Sequence, residues 1–425
     1  MGVAATNDIS ITKKFAKVCA TEGLECGINW SFSPVVDINI NPQNPITNIR
    51  AFSDDTETVI KNACAFVEEM QSEGMAACCK HFPGDGVDFR DQHIHPTYNN
   101  LSSEDWYKSF GKVYKSVIDK GTLSMMIGHI CQVNLAMDEN PDLLPQDVRV
   151  ASLSSELLTG ILRGKLGFNG LITTDATVMA GYYQEAENRE DLLPLSIAAG
   201  CDMLLFVADL EKDYNAVLKA YKNGVFSELR LNEAVSRILA LKMKVCKENK
   251  RDEIPSKQWQ KECAHRAVTL VKNNANLLPL TNPKAVKICV FGSETTVDGD
   301  IYDITQKILT EKGIICEQYN VEKDIFTDEP IIIFGNYQTG SGKTAVRIFW
   351  DRRFNSNYIA KKNVIFVSLG NPYLLQDIPR VKTYINAYSP NKATIEAVIS
   401  KILGESEFVG NSPIDAFCGL IDTRF

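Results

Sequence analysis

The chain has 425 residues, 44% of them hydrophobic and 23% charged, with a net charge of −8. That balance fits a soluble globular protein of two or three domains, at roughly 100–200 residues per domain. It gives no compositional support for a nucleic-acid or anionic-membrane surface. No stretch reaches the ~18–20 apolar residues of a membrane helix, and the opening MGVAATNDISITKKF lacks a signal-peptide core, so a cytoplasmic location is expected. The 12 cysteines are scattered, without a CxxC pair or a zinc-like His–Cys spacing. They predict buried free thiols rather than a disulfide framework.

In chain order, short apolar runs ending in a polar residue alternate with amphipathic stretches of helical length. The runs are WSFSPVVDI (30–38), GMAACCKHF (74–82), TLSMMIGHI (122–130), NGLITTD (169–175) and CDMLLF (201–206). Residues 54–74 and 102–121 read as helices, the second with Ser103 as N-cap and Gly121 as C-cap. Such alternation predicts an α/β fold with a parallel sheet covered by helices. Asp37, Lys80-His81, His129 and Asp175 fall at the C-terminal ends of the runs. Those ends form the ligand face of a (β/α)8 barrel and equally of a doubly wound sheet. The boundaries expected are a catalytic domain over 1–246, a charged linker over 247–260 and a smaller α/β sandwich domain over 261–425. In the last, 261–273 opens as a helix, 287–293, 330–335, 363–370 and 381–388 read as strands, and 305–313 and 391–404 as helices.

The chemistry concentrates in KHFPGDGVDFRDQH (80–93) and in the strand that ends at Asp175. Asp91 lies two residues before His93. A carboxylate there can hold one imidazole nitrogen and leave the other free to exchange a proton. An imidazole near its ordinary pKa of ~6.5 suits acid–base work at neutral pH. By itself a D-x-H loop also reads as a surface turn, and a strand-end Asp as a helix cap. A carboxylate nucleophile at Asp175 with a proton donor at His93 would supply the two groups of a retaining glycosidase, the donor being imidazole in place of the usual second carboxyl.

These segments resemble glycoside hydrolase family 3, in particular its bacterial β-N-acetylglucosaminidase branch. The resemblance is carried by GINWSFSPVVDIN (27–39), Arg50 in NIRAFSDD, KHFPGDG with its D-x-H, LLTGILRGKLGFNGLITTD (157–175) and SIAAGCDMLL (196–205). It continues through AVTLVKNNANLLPL (267–280) and NPYLLQDIP (371–379). It implies a TIM-like (β/α)8 catalytic barrel and a retaining hydrolase that removes terminal β-linked N-acetylglucosamine without a metal or organic cofactor. It also implies Asp175 as nucleophile, His93 and Asp91 as acid/base dyad, and Lys80, His81 and Arg50 as sugar-binding residues. The partner expected is therefore a carbohydrate.

Two departures stand out. Asp85 replaces the second histidine of the KHFPGHG found in many relatives, and only five barrel-type strands are counted. Relatives begin with further strands, one bearing an Asp-x-Glu-Gly-Gly motif, so residue 1 is expected not to be the native start and the barrel to be N-terminally incomplete. A glycoside phosphorylase using the same dyad, and a non-catalytic carbohydrate-binding remnant, are the alternative readings. TGSGKT (339–344) has Tyr337 where a P-loop needs its first glycine, and reads as a polar turn. His95 lacks the matching aspartate, His265 reads as structural, and Asp351, Arg352 and Arg353 as a solvated turn.

Overall fold

Five of the apolar runs become parallel strands: β1 (Trp30–Ser31), β2 (Ala76–Phe82), β3 (Ser124–Ile127), β4 (Leu171–Ala176) and β5 (Met203–Leu205). They are seen in a computed structural model that describes residues 1–245, 253–324, 327–340, 342, 346–348, 360–361 and 363–425. The strands lie in the order β1-β2-β3-β4-β5, every neighbouring pair parallel. The order never reverses, so this curled sheet has no topological switch point. That separates it from the doubly wound alternative. Among the described residues β1 and β5 are not paired with each other. The run at 30–38 gives only a two-residue strand and a bridge from Val35 to Lys80. Pro34, with no N–H to donate, interrupts the ladder.

The helices follow their apolar spacing. Thr56–Ser72 is capped by Asp55, whose side chain accepts the Thr58 N–H at 2.8 Å, and it buries Val59, Ala63, Phe66, Val67 and Met70 on one face. The cap of the next helical run is Ser102, not Ser103: the Ser102 hydroxyl accepts the Asp105 N–H at 3.1 Å. That run widens into a π-helical stretch over Tyr107–Gly111 before Lys112–Asp119 closes it.

Two compact units result. One comprises Thr12–Ile254 with Gly340–Thr344; the other comprises Met1–Ile11, Pro255–Thr339 and Ala345–Phe425. After Met1–Ile11 the second unit continues with a helix over Ser256–Ala267 and then β6 (Thr269–Asn273), so the expected helix at 261–273 is divided. The β-branched Val268, Thr269 and Val271 favour the extended chain there. With β7 (Ala285–Gly292), β8 (Ile315–Gln318), β9 (Ile331–Asn336), β10 (Val364–Ser368) and β11 (Thr383–Asn386), β6 forms a six-stranded sheet in the order β8-β7-β9-β10-β11-β6. Only β6 runs antiparallel. Alternation along the strands sends Val286, Ile288, Val290 and Ile332 into one core and Cys289, Phe291, Ile331 and Ile333 into another, so both faces are covered. None of the eleven described cysteines forms a disulfide among the described residues. No described helix is long and apolar enough to cross a membrane.

Candidate active site

The C-terminal ends of β2 and β4, with the chain after β1, build the floor of the site. Asp37 is fully buried. Its Oδ1 accepts the backbone N–H groups of His81 at 3.0 Å and Asp85 at 2.8 Å, and its Oδ2 lies 2.7 Å from His81 Nδ1. That pairing turns His81 Nε2 toward Asp175, 3.9 Å from its Oδ2. Asp175 Oδ1 accepts the Ala176 N–H at 2.7 Å. Burial alone would raise the Asp175 carboxyl. The His81 and His129 rings, the Ala176 N–H and the Lys80 ammonium outweigh it and hold the group below its ordinary value. Burial drives His81 well below the usual imidazole range, so the ring is neutral at pH 7. Lys80 and the Ala176 amide then remain the lasting positive partners of Asp175.

The dyad sits on the loop after β2. His93 Nδ1 lies 2.7 Å from Asp91 Oδ1, which also accepts the His93 backbone N–H at 2.8 Å. The Asp91 carbonyl accepts the N–H groups of Ile94 and His95, closing a tight turn. His93 is 31% exposed while Asp91 is wholly covered, and the second ring nitrogen has no hydrogen-bond partner among the described residues. Charge on His93 acts on both His81 and His129, which places the dyad beside the floor. Gln92 stitches the two together. Its Nε2 donates to Asp85 Oδ2 at 3.1 Å, its Oε1 accepts the His129 N–H at 2.9 Å, and its carbonyl accepts the Gly181 N–H beyond β4.

The expected residues therefore gather in one place. Lys80 is half-buried, and its ammonium makes no hydrogen bond or ion pair among the described residues. Burial first, then Arg50, lowers its pKa. Arg50 is exposed; its Nη1 donates to the Ile46 carbonyl at 3.2 Å, and its charge reaches Asp37, Lys80, His81 and Asp85. His95 is exposed, and its ring makes no hydrogen bond to the Asp91 carboxylate among the described residues. His129 is buried with Nδ1 at 2.9 Å from the Ser152 hydroxyl and Nε2 at 3.1 Å from the Ala176 carbonyl, so neither nitrogen is free for a ligand. Asp85 is taken up within the protein: it accepts from Asn44, Gly86 and Gln92. Burial, with repulsion from Asp37, pushes Asp85 up to about 7. Burial likewise raises Asp37 to about 7.

Three contributors lie outside the expected site residues. Asp37 is visible there only as a strand-end carboxylate, and Gln92 only as the middle of D-x-H. The third is Gly342, whose N–H reaches Asp91 Oδ2. Ser341, Lys343 and Thr344 of TGSGKT, and Asp351 to Arg353, lie outside the described residues. No group of His, Cys, Asp and Glu able to hold a metal occurs among the described residues.

Comparison with known proteins follows the same lines. The model of the glycosyl hydrolase family 3 N-terminal domain matches residues 1–241. A β-N-acetylglucosaminidase/β-glucosidase of Cellulomonas fimi is 36% identical over 460 aligned positions, which take in all of this chain and 81% of that protein. β-Hexosaminidase A of Pseudoalteromonas piscicida is 30% identical over 309 positions, 66% of this chain and 50% of its own length. Among solved structures, the β-glucoside phosphorylase BglX bound to 2FGlc is 37% identical with a TM-score of 0.92, covering 99% of this chain and 80% of that one. A β-N-acetylglucosaminidase from Paenibacillus sp. shares the fold at a TM-score of 0.81 and 22% identity, over 99% of this chain and 82% of its own. A parallel sheet with carboxylates, imidazoles and cations at its strand ends, matched by a family model over more than half of the chain and by a relative along all of it, belongs to an enzyme of glycoside hydrolase family 3.

Proposed function

We propose that this chain removes a terminal β-linked N-acetylglucosamine with retention of configuration, and that its five parallel strands form part of a (β/α)8-type barrel. The observation that carries the reading is an ionised strand-end carboxylate, Asp175, beside an imidazole held by its own buried carboxylate. In the first step an Asp175 oxygen attacks the anomeric carbon. The bond to the leaving oxygen breaks, and His93 gives that oxygen the proton on its open nitrogen. In the second step His93 takes a proton from water, which displaces Asp175 from the sugar. Asp91 holds the ring and balances the charge that His93 gains or loses. Lys80 and Arg50 offer donors to sugar hydroxyl or carbonyl oxygens, while neutral His81, its Nδ1 engaged by Asp37, offers Nε2 as an acceptor for a sugar hydroxyl.

The alternative acceptor is phosphate, with the sugar leaving as a sugar phosphate. A specific observation favours keeping it: the 37% identity and TM-score of 0.92 to a protein titled β-glucoside phosphorylase. An imidazole donor also repels an incoming phosphate less than a carboxylate would.

Release of the aryl group from an aryl β-N-acetylglucosaminide, with and without inorganic phosphate, tests both. The parent chain should turn over and Asp175→Asn should lose at least ~10³-fold. Equal rates for the two proteins would remove Asp175 from the role of nucleophile. A rate that climbs with phosphate, with sugar 1-phosphate as product, would replace hydrolysis by phosphorolysis.

A further inference from the structure

We propose that Gly342 is a positioning residue for the dyad: its backbone N–H fixes the second oxygen of Asp91 and so sets the direction of the His93 ring. The inference rests on the reading of His93 and Asp91 as acid/base dyad. The accounting of Asp91 leads to it. Oδ1 is taken up by the His93 N–H at 2.8 Å and His93 Nδ1 at 2.7 Å, while Oδ2 accepts from Gly342 N–H at 2.8 Å. The Asp91 side chain has no solvent exposure, so no water stands ready to replace that donor. A buried carboxylate oxygen left without a donor is costly, and a carboxylate held by one oxygen alone is free to turn about its last side-chain torsion. The imidazole hydrogen-bonded to it would turn as well.

Gly342 stands 251 positions from Asp91 in sequence, yet both lie in the same compact unit. Its φ is +77°, and a Cβ built there meets nothing within 4 Å among the described residues. Glycine is therefore required by the backbone conformation and not by crowding. A Cβ has room among the described residues, but only a side chain that tolerates positive φ keeps the N–H aimed at Asp91. Asparagine does so readily and valine does not.

The test compares Gly342→Val and Gly342→Asn in the full chain. Two aryl β-N-acetylglucosaminides serve as probes, one with a 2,4-dinitrophenyl leaving group that needs little protonation and one with a 4-methoxyphenyl group that needs it. The value of kcat/KM reports the step in which the leaving group departs. Gly342→Val should lose about tenfold on the methoxyphenyl substrate and less than twofold on the dinitrophenyl substrate, while Gly342→Asn stays within about twofold on both. Equal losses on the two substrates, or no loss on either, would overturn the proposal.

Ring ¹⁵N NMR gives a reading that needs no turnover. The chain has five histidines, and His93→Gln assigns the signal. A protected His93 Nδ1–H present in the parent and in Gly342→Asn, but lost in Gly342→Val, supports the positioning role; its persistence in Gly342→Val overturns it. Should the parent cleave neither glycoside, the proposed function fails while the NMR result still decides the role of Gly342.

Discussion

The site holds two carboxylate–imidazole pairs with the same 2.7 Å contact, Asp37–His81 on the floor and Asp91–His93 on the loop. Their surroundings differ. His81 is 4% exposed and His93 31% exposed. The floor pair joins residues 44 apart in sequence and seals the ring between Asp37 and Asp175; the loop pair joins residues two apart and leaves one nitrogen facing outward. One pairing thus stands in two settings. Burial makes His81 a fixed neutral hydrogen-bonding group, while the His93 ring stays partly exposed.

Three substitutions break or sharpen this contrast. The largest effect is expected of His93→Gln, which should lower kcat/KM on a glycoside with a poor leaving group by ~10²–10³. As a partly exposed loop change, it should shift folding free energy by no more than ~0.5 kcal/mol. A loss of stability matching the loss of rate would erase the distinction between loop and floor. His81→Gln should do both kinds of damage: weakened sugar binding, and a stability loss of roughly 1–3 kcal/mol from the buried partner left at Asp37. A urea titration checks it, and an unchanged midpoint would show that the floor pair holds nothing together.

The smallest effect concerns pH. Asp37 and Asp85 are raised to about 7 from the ordinary carboxyl value of 3.8, burial being the main cause for both. A carboxyl raised in the folded state stabilises fully below its unfolded pKa, and that contribution is lost as pH climbs through the folded one. The melting temperature should therefore fall between about pH 4 and pH 7. Asp85→Asn, with one fewer buried acid to ionise, should show the shallower slope. Superimposable slopes would mean that Asp85 does not titrate in this range.

What could be read from the sequence was local. The apolar runs and the two-residue spacing of Asp91 and His93 lie within one segment each, and backbone geometry converts such spacings directly into contacts. The grip of Asp37 on His81, and of Gly342 on Asp91, spans 44 and 251 positions. No periodicity records such pairings. His129 illustrates the opposite difficulty. Its place at a strand end suggested a residue facing the pocket, and only the packed structure reveals Ser152 and the Ala176 carbonyl occupying its ring. Ser102 displaced Ser103 as cap because two adjacent serines offer equal chemistry, and the turn geometry selects one.

The loop at 83–86 has a consequence for how such a site changes over generations. Gly84 and Gly86 have φ of +119° and +102°, and a Cβ on the first would strike the Phe110 ring, on the second the Ile38 carbonyl. Asp85 between them is tied to Asn44 and Gln92. Few single mutations can enter this stretch without dismantling it. Just beyond it the covering thins: Val87 is half-buried and Phe89 is 58% exposed. Change in this loop is thereby channelled to its exposed positions, while the turn that carries the chain to His93 is inherited as a block.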